Sequence, residues 1–232
     1  MSFIVSACGR SGTMFTWQTL NRLGIRTSFE EFFQSQVRPM DCWEAFQQWL
    51  DETHTCGEVS SLSAPHLGFM PESVTVIHLV RNPVAVIASL LGGKNFEKPL
   101  AWSRNVKFNF RHLPQLDRMD RPAVLAMKYW LYWNELIAPQ AEAMFKAEDL
   151  YSLNTGQLKR LTELVGGEFS VSVAEAAMGH LGRTWNAGNR DMGIRWQLLP
   201  NCDLKTAIEE AAYRYGYTEL DLYSYCPHCG QL

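Results

Sequence analysis

Phe3-Ile4-Val5-Ser6-Ala7-Cys8-Gly9-Arg10-Ser11-Gly12-Thr13, running into a helical pattern from Met14 to residue 23, is the stretch on which the fold turns. A short apolar run enters a Gly-Arg-Ser-Gly-Thr loop, and a helix leaves it. The two glycines let the backbone turn tightly, so that successive N–H groups can face one hollow. The helix N-terminus adds a partial positive charge and Arg10 a full one. Gly9, Arg10, Ser11, Gly12, Thr13 and Met14 are therefore a candidate cradle for a phosphate or sulfate group. The plainer alternative is an ordinary strand-to-helix turn that holds two glycines.

The spacing does not fit a Walker A loop, which needs four residues between its glycines and then Lys with Ser or Thr. Here two residues separate Gly9 from Gly12, Thr13 stands where that motif wants Lys, and the cation is Arg10, inside the loop. A kinase or ATPase reading starts at a disadvantage.

The chain's 232 residues suffice for one α/β domain, and we read 1–232 as a single one. Hydrophobic residues make up 47% and charged residues 19%, the balance of a globular protein with a substantial core. The net charge of −3 argues against general nucleic-acid binding, which favours a strong basic excess. No apolar run is long enough for a transmembrane helix. The N-terminus lacks the basic and apolar regions of a signal peptide, so a cytoplasmic protein is expected. The six cysteines are then free thiols for the most part. Cys226-Pro227-His228-Cys229 offers half a zinc site or a redox pair, but a tail with two free thiols is the plainer reading, and the expected metal content is none.

Along the chain, strands are expected at 25–28, 55–60, 74–80 and 144–147. The clearest is Val74-Thr75-Val76-Ile77-His78-Leu79-Val80, β-branched and nearly all apolar, as a buried parallel strand should be. His78 within it reads as a core histidine. Helices are expected at 41–50, 83–91, 98–110 and 123–137, with Gly24 ending the first one. Asn82 and Pro83 form an N-cap and N1 pair. Asn154 with Gln157, and Ser172 with Glu175, read as capping boxes, and Asp203 as the cap of a last helix. Residues 183–200 form a long loop with a basic excess from Arg183, Arg190 and Arg195, as a functional lid would. Alternating strands and helices imply a three-layer α/β/α fold around a mostly parallel sheet, with ligands at the strands' C-terminal ends. Arg10, Glu58, Arg81 and Asp149 all fall at or just after such ends.

These residues carry a resemblance to the sulfotransferases that use 3′-phosphoadenosine-5′-phosphosulfate (PAPS). Gly9-Arg10-Ser11-Gly12-Thr13 resembles that family's 5′-phosphosulfate loop in the form found in carbohydrate sulfotransferases. Leu79-Val80-Arg81-Asn82-Pro83, with Ser89 eight residues after Arg81, resembles its 3′-phosphate motif. Trp130-Leu131-Tyr132-Trp133-Asn134 and Lys146-Ala147-Glu148-Asp149-Leu150 are similar to the helix and strand end that follow. The resemblance implies a P-loop NTPase-like sulfotransferase fold, PAPS as donor, PAP (3′,5′-adenosine bisphosphate) as product, and a carbohydrate or small-molecule acceptor. It implies Arg10 at the leaving phosphate, Arg81 and Ser89 on the 3′-phosphate, and Arg190 and Arg195 on a closing loop. Glu58 is the first choice for general base and His66 the second, although the Lys-Thr-Pro that often follows the Glu in the family is absent. The rival readings are a P-loop kinase and a catalytically silent nucleotide-binding protein.

Overall fold

A computed structural model of the chain describes residues 2–33, 42–93, 96, 104–152, 154–179, 194–200 and 202–223. The chain divides into two compact units, Met1–Val80 with Leu136–Asn186 and Arg81–Glu135 with Ala187–Leu232.

The first unit holds all the described strands. These are β1 (Ser2–Ala7), β2 (Thr27–Phe29), β3 (Gly57–Ser60), β4 (Val74–Val80) and β5 (Ala143–Lys146). They form one sheet in the order β2-β3-β1-β4-β5, and every pairing is parallel. The expected mostly parallel sheet is thus entirely parallel among the described residues, and helices flank it.

Period-two alternation decides which side chains go where. Phe3, Val5 and Ala7 of β1, Val59 of β3, Ile77 and Leu79 of β4 and Phe145 of β5 enter one buried cluster. Phe15 and Leu20 of α1 (Thr13–Arg22) and Leu158 and Leu161 of α7 (Thr155–Leu164) join it, with Ile25, Ala147, Leu150 and Val165. Each such large side chain contributes roughly 1.5–3 kcal/mol on burial. The alternate positions Ile4, Ser6, Glu58, Ser60, Val76 and His78 are also buried, so the sheet is covered on both faces. Three of those six carry hydroxyl or carboxyl groups, and His78 is the core histidine expected. Gly57, paired with Phe3, lets β3 approach β1 closely, because a Cβ there would lie 2.4 Å from the Phe3 carbonyl oxygen.

The other helices of this unit are α2 (Cys42–Thr53), α6 (Ala147–Tyr151) and α8 (Val171–Gly179). Helix α1 stops where Gly24 takes a φ of 83°. Asn154 caps α7 by accepting from the Gln157 N–H at 3.2 Å. Ser172 is not a cap, since α8 already begins at Val171 and the Ala174 N–H reaches the Ser170 carbonyl.

The second unit contains α3 (Pro83–Gly92), α4 (Arg104–His112), α9 (Asp203–Arg214) and α10 (Glu219–Tyr223), and α5 (Pro122–Ile137) lies mostly within it. Asn82 caps α3, accepting from Val84 and Ala85 N–H groups at 2.9 and 3.4 Å, and Pro83 is its first residue. The Asn82 Nδ2 donates to the Asp221 carbonyl at 2.8 Å. Trp130 is fully buried and donates its Nε1–H to the Arg81 carbonyl at 2.9 Å. Cys202, not Asp203, caps α9, while Asp203 as first helical residue still complements the helix dipole. Helix α10 is an element beyond the last one expected. Part of the expected 98–110 helix, Asp41, Arg183, Gly182 and Cys226 to Cys229 lie outside the described residues. No described helix is long and apolar enough to cross a membrane.

Candidate active site

The sheet order sets the place of the site. From β1 the chain goes through α1 to β2 on one side, while β4 leads to β5 on the other. β1 and β4 are neighbours, with Ala7 paired to Leu79, so their C-terminal ends mark the topological switch point where open α/β sheets bind ligands. Gly9 to Thr13 follow β1, and Arg81 is the residue after Val80 of β4.

The loop after β1 is built for close backbone approach. Arg10 has φ 73° and Gly12 φ 89°, two left-handed residues within three positions. A non-glycine residue in that region is uncommon and is held there by its surroundings. Ser11 donates its N–H to the Cys8 carbonyl at 3.2 Å, and its hydroxyl lies 2.9 Å from the Cys8 thiol. The Ser11 N–H is therefore committed within the loop, and the open donors begin after it. Gly12 is the N-cap of α1 and supplies no side-chain hydrogen bond. The N–H groups of Thr13 and Met14 have no intrahelical acceptor, as at every helix start, and an anion can take them. Arg10 and Met14 are exposed, whereas Ser11 and Thr13 are buried. The residue set fits a phosphate or sulfonate group: a glycine without a Cβ, two free helical donors and an exposed cation.

Next to the loop lie hydroxyl and carboxyl groups on the β1 and β3 ends. Ser63 donates to Ser6 Oγ at 2.7 Å and also contacts the Ser60 carbonyl at 3.2 Å, and Ser60 Oγ accepts from the Leu62 N–H at 3.0 Å. Glu58, on β3, is fully buried. Its Oε2 accepts from the Phe32 N–H at 2.8 Å and the Ser28 hydroxyl at 3.3 Å, and its Oε1 from the Phe33 N–H at 3.1 Å. Burial pushes the carboxyl up from 4.5 to about 7, against the downward pull of these three donors, with the negative Glu31 adding a small upward push. His66, in the 3-10 turn Ala64–Phe69, is buried too, and its ring lies 5.3 Å from that of Phe33. The two expected bases thus meet around one residue: Glu58 holds the Phe33 backbone and His66 packs on its ring.

Two residues of this neighbourhood escape a reading of the sequence. Glu30, at φ 49° just past β2, accepts from both the N–H (3.2 Å) and the hydroxyl of Ser61. It is half-buried, unlike Glu58. Tyr151, the last residue of α6, reaches the loop itself, since a Cβ on Gly12 would lie 1.9 Å from its hydroxyl oxygen. An acidic residue at a strand end is a weak signal for the first. Nothing local marks the second.

In the second unit, Arg81 is half-buried at the start of α3 and Ser89 is buried two turns into that helix. Arg195 is exposed and extended, one residue before Trp196, whose buried ring donates to Glu209 at 2.7 Å. Arg190 lies outside the described residues. No group of three or more potential metal ligands occurs among the described residues.

No protein-family model matches the chain, and neither does any curated protein. Solved structures do. The sulfotransferase domain from the curacin biosynthetic pathway superposes with a TM-score of 0.59 at 12% identity, over 94% of this chain and 98% of that one. The sulfotransferase domain of the Synechococcus PCC 7002 olefin synthase gives a TM-score of 0.49 at 15% identity, over 94% of each chain. The fold of this protein is that of a sulfotransferase domain.

Proposed function

We propose that the protein is a PAPS-dependent sulfotransferase and that residues 1–232 serve as one sulfotransferase domain. The observation that carries this reading is the anion loop after β1 and the Arg81 motif after β4, on the two strands that flank the switch point of an all-parallel sheet. In this reading the loop takes the 5′-phosphosulfate, and Arg81 with Ser89 takes the 3′-phosphate. The acceptor is a hydroxyl of a carbohydrate or other small molecule. Its oxygen attacks the sulfur while the bond from sulfur to the 5′-phosphate oxygen breaks. Arg10 offsets the charge that builds on the leaving phosphate, a role in which a fixed cationic fork is effective.

The acceptor's proton needs a base within reach. Glu58 has the pKa for it, but the burial that raises this pKa also keeps an acceptor away, and both its oxygens are engaged. We assign Glu58 and His66 to fixing the 28–33 turn, and the base role to Glu30, which that turn carries and which is half-open to solvent.

Isothermal titration with PAP, beside ATP and 5′-AMP and without metal, tests the donor site. PAP binding tighter than that of ATP or 5′-AMP, and weakened at least about tenfold in Arg81→Ala, is the expected result, and preference for ATP overturns the reading. Glu30→Gln should then cut turnover while leaving PAP affinity intact. If Glu58→Gln does this and Glu30→Gln does not, the base assignment reverts to Glu58.

A further inference from the structure

The phosphate loop has a side chain in it that comes from far along the sequence. Gly12 has no side chain, and the Tyr151 hydroxyl stands in the space one would fill: its oxygen is 1.9 Å, and its ring carbon Cζ 2.8 Å, from the position of a Cβ. The ring is held there by Phe15 of α1, edge to face, with centroids 4.8 Å apart and planes at 86°. Tyr151 ends α6, and α6 follows β5 directly, so the sheet delivers the phenol to the same end at which α1 begins. Loop, helix start and phenol all belong to the first unit.

We infer that Tyr151 is a ligand of the donor's 5′ anion: its hydroxyl donates a neutral hydrogen bond to the group bound on the Thr13 and Met14 N–H groups. This rests on the sulfotransferase reading for the identity of that anion. The physical logic is complementary to that of Arg10. The exposed guanidinium supplies charge, whereas a phenol fixed by an aromatic contact supplies direction and gives up little side-chain freedom on binding. It also accounts for the glycine at position 12 beyond its backbone angle, since any side chain there would evict the phenol.

The test is Tyr151→Phe, which keeps the ring and its contact with Phe15 and removes only the hydroxyl. Titrations with PAP, 5′-AMP and 3′-AMP separate the possibilities. The expected result is a loss of about fivefold in affinity for PAP, the worth of one ordinary hydrogen bond, and a similar loss for 5′-AMP where its binding is measurable, with 3′-AMP unaffected and the melting temperature unchanged. Equal PAP affinity in wild type and variant overturns the inference while leaving the sulfotransferase reading intact. So does an equal loss for PAP and 3′-AMP, which would mark a structural role. Absence of PAP binding by the wild type defeats the underlying reading instead, and the two failures are distinct.

Discussion

Replacing Glu58 by Gln should change how stability depends on pH. The carboxyl titrates at about 7 in the folded protein against 4.5 as an ordinary group, because burial outweighs the hydrogen bonds from Phe32, Phe33 and Ser28. The folded state therefore holds this proton more tightly than the unfolded chain does. Between pH 4.5 and about 7 the folded form binds more protons, so stability must fall as the pH rises through that window. At about 1.4 kcal/mol per pH unit, the loss amounts to about 3 kcal/mol once the pH exceeds 7. Gln cannot ionise, but its amide turns an N–H toward one of the donors from which the carboxyl accepts, at a cost of about 1–3 kcal/mol that does not change with pH. Glu58→Gln should therefore start below the wild type near pH 5 and gain about 2–3 kcal/mol on it by pH 8. Urea unfolding of both proteins at intervals from pH 5 to 8 reads this directly, because the six histidines and all other groups cancel in the difference. A wild type that gains on the variant as pH rises would refute the reasoning: the backbone N–H groups would then outweigh burial, and the carboxylate would be a stabilising anion.

Two further changes test the frame around the site. Asn82→Ala removes the cap of α3 and the bond to the Asp221 carbonyl, and should lower unfolding stability by about 2 kcal/mol. Asn82→Asp keeps the capping oxygen but sets a buried carboxylate against the Asp221 carbonyl, and should lose at least as much in the same urea melts. Gly57→Ala puts a methyl against the Phe3 carbonyl, where neither strand backbone can yield cheaply, and should cost about 2–3 kcal/mol in chemical denaturation. An unchanged midpoint would show that β1 and β3 separate more easily than their pairing suggests.

Much of this architecture is legible in local sequence. The β-branched apolar run of β4 and the Asn-Pro pair after it fix a strand and a helix start to the residue, because both signals act within a few positions. The glycine pattern of residues 9–13 marks a left-handed turn for the same reason, although Arg10 as the second left-handed residue is not what residue type favours. Cap positions are harder to read. Ser170 and Ser172 offer the same hydroxyl two residues apart, and at α9 the N-cap position falls on Cys202, which makes no side-chain capping bond, rather than on Asp203. The site is legible only in part. Glu58 stands out as a carboxylate on a core strand, but its capture by Phe32 and Phe33 depends on how the chain folds back after β2. Tyr151 is separated from Gly12 by more than half the chain, and their meeting follows from the placing of β5 in the sheet.

The central position of β1 has a consequence for how the chain is made. Its partners are β3 and β4, and Leu79, the last residue of β4 that it pairs with, lies 72 positions beyond Ala7. On a ribosome adding about 5–20 residues per second, roughly 4–15 s pass between the emergence of the first strand and that of the last residue it must pair with. Until β3 is made, Phe3, Ile4 and Val5 form a sticky apolar strand with both edges open, and the β4 edge stays open until Leu79 is added. The helix that follows can form at once, but it has no sheet to lie on. Newborn copies of this protein are thus most vulnerable to aggregation while residues 8–79 are being added, and slowing elongation over those codons should lower its soluble yield in cells short of chaperones.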